Sequence, residues 1–98
     1  MPSQTKDYFV YILSNQHGML YAGVTSDLRR RLEEHRRGQG SKFAAKFKIT
    51  RLLYYETTPD IQSALAREKE IKSWRREKKL ALIRSINPTF TDLSADLF

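Results

Sequence analysis

A glutamate within a predicted helix is the residue of this sequence most informative about chemistry. With about 100° between successive helical residues, Glu68 falls near the middle of a mostly apolar arc. The other members of this arc are Ile61, Ala64, Leu65, Ile71 and Lys72. A carboxylate that faces a core is costly unless it is paired or binds a cation. The pattern therefore leaves two interpretations, a metal ligand or an ion pair with Lys72 four residues later.

An arginine and a histidine form a second group of candidates. Arg31 and His35 are four residues apart, so a helix would place them on one face, beside the apolar pair Leu28 and Leu32. Arginine is the preferred planar partner of a phosphate, and histidine exchanges a proton near neutral pH. The competing interpretation is an ordinary solvated helix surface.

Two tyrosines lie in neighbouring predicted strands, where aromatic core packing is the stronger interpretation. The phenols of Tyr11 and Tyr21 are poor bases, because their reference pKa is near 10 unless a cation or a nearby base lowers it. Gly23 stands at the end of the second strand and would permit a close backbone approach. Trp74 is either a core residue or a surface on which a base stacks.

Charge and composition point to a polyanionic partner. The 98 residues correspond to one domain, and the lack of cysteine excludes disulfides and thiolate metal sites. The net charge is +7, and the basic residues cluster at Arg29 to Arg37, Lys42 to Arg51 and Lys69 to Lys79. Such clustering favours nucleic acid, although solubility alone would also explain it. Without a long apolar run or a signal-peptide pattern, we expect a soluble cytoplasmic protein that does not enter a membrane.

The hydrophobic pattern predicts which elements position these side chains. Apolar runs predict strands at about 8–13, 19–24 and 49–56, the first two joined by a hairpin turn. Thr25 or Ser26 is the expected cap of a helix that Gly38 and Gly40 end, and Thr58-Pro59 is the expected start of a helix running to about Ser73. A last helix is expected at about 75–86, before Asn87-Pro88.

Together these elements predict an α+β fold, a small three-stranded, mainly antiparallel sheet flanked by helices. We expect a flexible N-terminus at 1–7, one domain at 8–88 and a tail at 89–98 that either docks or stays loose. The basic segment 41–48 forms a short helix or an ordered loop, and its aromatic residues Phe43 and Phe47 suit strand contacts. The candidate nucleic-acid-binding lysines are Lys42, Lys46, Lys48 and Lys72.

These residues resemble the GIY-YIG nuclease superfamily, especially its small stand-alone bacterial members and the N-terminal nuclease module of the excision-repair incision subunit. Phe9-Val10-Tyr11 and Tyr21-Ala22-Gly23 resemble its two signature elements, with the tyrosines ten residues apart. The catalytic arginine, the His-or-Tyr position and the metal-binding glutamate of the family match Arg31, His35 and Glu68. The chain departs from the family at three positions, Phe9 for Gly, Ala22 for Ile and Val24 for a frequent Lys.

The resemblance implies a metal-dependent endonuclease that hydrolyses phosphodiester bonds in DNA, in repair or recombination. Glu68 would hold one Mg²⁺ or Mn²⁺, and Arg31 would contact the scissile phosphate. Either Tyr11 is the general base on the attacking water, with Tyr21 and His35 orienting it or relaying its proton, or His35 is the base and Tyr11 has the orienting role. Asn87 is similar to an asparagine that some members use near the site. The alternative function is a non-catalytic nucleic-acid-binding module of a larger repair assembly, with a protein partner.

Overall fold

A three-stranded antiparallel sheet forms the centre of the computed structural model, which describes residues 7–97. Its strands are β1 (Tyr8–Ser14), β2 (Leu20–Thr25) and β3 (Arg51–Thr58), in the spatial order β2-β1-β3. This arrangement confirms the predicted fold class. Residues 1–6, which make up most of the predicted flexible N-terminus, lie outside the described residues.

Helices cover both faces of this sheet. They are α1 (Leu28–Arg36), α2 (Lys42–Lys46), α3 (Ile61–Ser73) and α4 (Arg76–Ile86), followed by a short 3₁₀ helix (Leu93–Asp96). Because successive strand residues point to opposite faces, Val10 and Ile12 of β1 pack with α3 and α4, whereas Tyr11 and Leu13 pack with α1 and α2. The apolar sequence of β1 thus reflects burial on both sides.

The helices α1 and α3 are both capped by an aspartate rather than by the residues that the sequence suggested. The Asp27 carboxylate accepts a hydrogen bond from the backbone of Arg30 at 3.2 Å, so the prediction of Thr25 or Ser26 as the cap was wrong. The threonine hydroxyl instead accepts a hydrogen bond from the Asp27 backbone. In α3, Asp60 accepts from Ser63 at 3.0 Å, and Thr58-Pro59 precedes the cap. The carboxylate competes better for the free amides in both places.

The third strand starts two residues later than predicted. Lys48 has a φ of 53°, a left-handed conformation that turns the chain between α2 and the strand. Ile49 is therefore fully buried in the connection, where its side chain joins the cluster around Leu32 and Ala44. Apolarity alone does not distinguish such a buried loop residue from the first residue of a strand.

The C-terminal segment docks against the sheet. Leu93 and Leu97 pack on the same cluster as Tyr11, and Arg29 donates to the carbonyl of Leu97 at 2.7 Å. Asn87 joins the segment to the sheet, because its amide donates to the carbonyls of Leu53 at 3.0 Å and Thr91 at 2.8 Å. Within residues 7–97, the structure contains no helix long and apolar enough to cross a membrane.

Candidate active site

Tyr11 lies at the centre of the candidate site and is 1% exposed. It pairs with Gly23 across β1 and β2, and its ring lies so close to this glycine that a Cβ there would overlap the phenol. The hydroxyl meets Nε2 of His35 at 3.0 Å, in a buried hydrogen bond between β1 and α1. Gly23 therefore provides the space in which this pair forms, as its position in the sequence suggested.

The surroundings of Tyr11 keep its phenol protonated. Burial is the main cause that raises its pKa to about 12, and the nearby Tyr21 and Glu68 add to the effect. The positive charge of Arg31 acts in the opposite direction. A phenol in this state is a hydrogen-bond donor at neutral pH, and it becomes a base only if another group accepts its proton.

His35 is suited to accept that proton. The side chain is 3% exposed, and burial lowers its pKa, assisted by Arg31 and opposed by Glu34. The ring is therefore neutral at neutral pH, and Nε2 is free to accept a hydrogen bond from Tyr11. The backbone at Gly40 covers the other side of the ring so closely that a Cβ would overlap Nδ1. The interpretation of His35 as part of a solvated helix surface is wrong, because α1 directs this side chain into the core.

Arg31 lies on the same helix at the edge of the site. Its Nη1 donates to Oε1 of Glu34 at 3.1 Å, while its Nε is buried without a hydrogen-bond partner. An unpaired buried donor is rare and marks a group available to a ligand. The guanidinium borders a cleft of about 260 Å³, which is also lined by Thr25, Ser26, Asp27, Arg30 and Glu34. Sequence reasoning missed Glu34, although its spacing of three residues from Arg31 indicates the contact.

Tyr21 connects these groups to two further elements. Its ring centroid lies 5.5 Å from that of His35 in an edge-on arrangement and 6.5 Å from that of Phe43, which stacks on it. The ammonium of Lys72 lies 5.9 Å from the same centroid, so α3 reaches the site beside this tyrosine. Both tyrosines therefore pack in the core and also belong to the candidate site. From the sequence alone, these two interpretations were alternatives.

Glu68 lies at the border between the core and the surface of α3. Its side chain is 21% exposed, and its charge contributes to the raised pKa of Tyr11. The apolar arc around it was only partly right: Ala64 and Ile71 are buried, but Ile61 is 36% and Leu65 45% exposed. The helix rests on the sheet through its small and β-branched positions, and this orientation leaves the carboxylate accessible from one side.

The donor set at Glu68 fits a cation held by one carboxylate. Within the part of the chain that the structure describes, no cluster of three or more histidine or acidic side chains could hold a metal. Mg²⁺ does not need such a cluster, because it commonly uses one or two carboxylates together with waters and substrate phosphates. The ammonium of Lys72 lies 3.3 Å from Oε2, which shows that a positive charge is accommodated beside this oxygen. The structure therefore shows the ion pair between Glu68 and Lys72, and this pair does not prevent Glu68 from acting as a metal ligand.

Two other candidates from the sequence serve the fold. The side-chain amide of Asn87 donates hydrogen bonds to the carbonyls of Leu53 and Thr91, so this residue is not part of the candidate site. Trp74 packs against the core cluster beneath α3, and the cations of Arg67 and Lys78 lie 5.2 and 4.5 Å from its ring centroid. The core interpretation of this tryptophan is therefore the one that the structure supports.

The candidate nucleic-acid-binding lysines occupy two regions. Lys42 and Lys46 are exposed on α2, and Lys48 is exposed in the turn that follows. Lys72 belongs to the candidate active site instead, through its contacts with Glu68 and Tyr21.

The chain is similar to known proteins over most of its length. A model of the GIY-YIG catalytic domain matches residues 7–81. UPF0213 proteins of Staphylococcus aureus strains Mu3 and USA300 are 43% identical to the chain over 77 residues, which cover 79% of this chain and 94% of theirs. The solution NMR structure of a UPF0213 protein of Bacillus halodurans superposes with a TM-score of 0.58 at 30% identity, over 90% of this chain and 94% of that one. None of these UPF0213 names states an activity.

Proposed function

The chain belongs to the GIY-YIG catalytic domain family, and from this premise we propose that it is an endonuclease that hydrolyses phosphodiester bonds in DNA with one divalent cation. The buried hydrogen bond of 3.0 Å between Tyr11 and His35 is the observation that carries the proposal. It joins a phenol that stays protonated to an imidazole that stays neutral, next to an arginine with an unused donor.

We assign the proton transfer to Tyr11 and His35 acting in series. The attacking water gives a proton to the phenol oxygen as the phenol gives its own proton to Nε2 of His35. The water oxygen forms a bond to phosphorus while the bond to the leaving oxygen breaks. This relay unites the two roles that the sequence left open, because the tyrosine contacts the water and the histidine stores the proton.

Arg31, together with a cation held by Glu68, would provide the positive charge that a phosphodiester requires. The guanidinium of Arg31 stabilises the charge that develops on the phosphate oxygens in the transition state. The carboxylate of Glu68 would hold one Mg²⁺ or Mn²⁺, and such an ion would supply charge neutralisation at the phosphate. Lys72 is 52% exposed on a flexible side chain and can leave the carboxylate to pair with the DNA backbone instead.

A cleavage panel tests the proposed function. Purified protein is incubated with single-stranded, duplex and branched DNA of the same length, each with Mg²⁺, with Mn²⁺ and with EDTA. We expect endonucleolytic products with at least one substrate in the presence of metal and none with EDTA. Gel shifts on the same DNAs, at two salt concentrations, report binding independently of cleavage.

The panel also separates the alternative functions. Salt-dependent binding to DNA without cleavage under any condition would contradict the nuclease proposal and favour a non-catalytic module of a larger repair assembly. A lack of both binding and cleavage would contradict both and point to a protein-interaction role. A role in DNA repair or recombination would be supported by preferential cleavage of the branched substrate.

A further inference from the structure

A second concave surface lies at the hairpin end of the sheet. It has a volume of about 660 Å³ and lies between the β1–β2 turn and the segment that joins α2 to β3. We call it the hairpin cleft; it is lined by Asn15, Gln16, His17, Met19, Lys46, Phe47, Lys48, Thr50 and Arg51. None of the residues assigned to catalysis contributes to this lining.

The hairpin cleft is positively charged. Lys46, Lys48 and Arg51 border it, and the lining contains no aspartate or glutamate. Neither lysine forms a salt bridge with an acidic residue among residues 7–97. A concave surface with unpaired cations concentrates anions, and phosphate groups are the anions that a nuclease meets.

Lys48 occupies a backbone conformation that does not suit it. Its φ of 53° lies in the left-handed region, where glycine or asparagine is favoured. Strain of this kind typically costs about 1–3 kcal/mol and is concentrated at functional sites. The side chain is exposed, and among residues 7–97 no hydrogen bond or ion pair of its ammonium offsets this cost in the folded state. A lysine at this position is explained if its charge has a ligand.

Aromatic rings connect the hairpin cleft to the candidate active site. The ring of Phe43 stacks on that of Tyr21, with 6.5 Å between the ring centroids, and its centroid lies 5.0 Å from that of Phe47. Phe47 lines the cleft. Phe43 is 47% exposed, which is unusual for an aromatic ring that is otherwise part of a packed row. Met19, which also lines the cleft, precedes Tyr21 by only two residues.

The walls of the cleft are held together by one side chain. Asn15 is 6% exposed and donates to the carbonyl of Phe47 at 2.8 Å. Its oxygen accepts from the backbones of His17 at 2.9 Å and Met19 at 3.0 Å. This asparagine therefore shapes the turn and fixes it to the segment after α2. A cleft that is rigid before binding loses less entropy when a ligand enters it.

We propose that the hairpin cleft and the exposed ring of Phe43 bind a single-stranded segment of DNA that flanks the scissile phosphate. A base stacks on Phe43, and the neighbouring backbone phosphates contact Lys46 and Lys48 in the cleft. The proposal deepens the proposed function, on which it rests for the position of the scissile phosphate, by naming the substrate class as DNA with an unpaired strand. Stacking requires an exposed base face, which a continuous duplex does not offer.

Binding measured without metal tests this inference. Fluorescence anisotropy in EDTA compares a labelled single-stranded oligonucleotide with a blunt duplex of equal length. Phe43→Ala should weaken single-strand binding about 5- to 160-fold, the range for loss of one stacked base, and should change duplex binding little. The double variant Lys46→Gln/Lys48→Gln should lower the salt slope for single strands by about 1.4, because about 0.7 is lost for each phosphate contact.

Matched variants separate binding from folding. Lys69→Gln removes an exposed lysine of α3 that lies outside the cleft, and it should bind single strands almost as the unmodified protein does. Lys48→Asn should keep or raise the thermal stability, because asparagine tolerates the left-handed conformation, while it weakens single-strand binding. Loss of affinity in this variant would then come from the missing charge alone.

The outcomes for the two proposals are distinguishable. Single-strand binding that depends on Phe43 and on the two lysines supports the inference even if no DNA is cleaved, in which case only the nuclease proposal fails. Equal affinity for duplex and single strand, or unchanged single-strand binding by Phe43→Ala, would overturn the inference even if cleavage is observed.

Discussion

Tyr11 and His35 have opposite pKa shifts from the same physical cause. Burial disfavours the charged form of each side chain, so the pKa of the phenol rises to about 12 and the pKa of the imidazole falls. Both groups are consequently neutral at neutral pH, and the hydrogen bond between them is a neutral one. In the proposed mechanism, a proton moves along this hydrogen bond as the attacking water replaces the proton that the phenol loses, which would link the transfer to bond formation at phosphorus.

The unpaired Nε of Arg31 leads to the first prediction. Arg31→Ala should lower kcat for DNA cleavage by about 10²- to 10³-fold, because it removes a donor that acts on the transition state. Arg30→Ala is the matched control, since Arg30 pairs with the same glutamate but is 76% exposed. Single-turnover cleavage by the two variants measures the difference. Equal losses in both would show that general positive charge, rather than the position of Arg31, promotes the reaction.

The lowered pKa of His35 predicts the pH dependence of cleavage. The imidazole accepts a proton only when neutral, so kcat/KM should rise as pH increases through a pKa below 6.5 and then stay level through pH 9. The alkaline decrease lies outside this range, because the pKa of Tyr11 is about 12. His35→Gln should reduce the rate and remove the acidic limb. An unchanged limb in that variant would assign the titration to another group.

Stability measurements at the same pH values provide the control for this profile. The pKa of His35 is lower in the folded protein than in the unfolded chain, so the unfolded chain binds more protons as the pH falls below about 6.5. The stabilisation is complete above that value and decreases toward acid. Urea denaturation at each pH shows whether the protein remains folded where cleavage is lost.

At the scale of elements, the sequence predicted the hairpin, the helix after it and the later helix that bears Glu68. The apolar runs of β1 and β2 and the helical spacing of the later apolar residues suffice for this. The starts of α1 and α3 were misplaced by one or two residues, because Asp27 and Asp60 compete as caps with the threonines before them. Which oxygen meets the free amides depends on backbone angles that a sequence pattern does not specify.

The orientation of α3 was also beyond the sequence pattern. Helical spacing placed Ile61 and Leu65 with Ala64 on one arc, but only the alanine is buried. The sheet surface is small, and close packing favours the small side chain at the contact. Likewise, the resemblance to the nuclease family predicted that Tyr11, Arg31 and His35 form one group. Their hydrogen bonds and burial could not be predicted from the sequence and follow only from the structure.

Asn87 provides a prediction about the contact between the C-terminal segment and the sheet. Asn87→Ala should lower the free energy of unfolding by about 2–4 kcal/mol, because a buried carbonyl and a partly buried one lose their donor. Ser85→Ala, at an exposed position of the same helix, should change it by less than about 0.5 kcal/mol. Urea denaturation measures both values. If Asn87→Ala keeps full stability but loses cleavage, its role is catalytic rather than structural.

At the scale of the whole molecule, the positive charge is distributed unevenly. Several arginines are used internally: Arg67 pairs with Glu56 and Glu70, and Arg36 with Asp92. The lysines of α2 and of the following turn remain unpaired with acids within residues 7–97, beside the hairpin cleft. Part of the positive charge that is available to DNA therefore lies near Tyr21 and Phe43. We infer that DNA approaches the protein at the hairpin end of the sheet.

The central claim is that one carboxylate on α3 completes a metal-dependent site with the tyrosines and Arg31. Metal-dependent DNA cleavage by Glu68→Gln, compared with Glu70→Gln, tests it most directly. Glu70 lies two residues later, is 53% exposed and pairs with Arg67, so its variant controls for the lost charge. We predict that Glu68→Gln abolishes cleavage while DNA affinity in EDTA is retained, and that Glu70→Gln cleaves normally. Cleavage by Glu68→Gln at the rate of the unmodified protein would contradict the account.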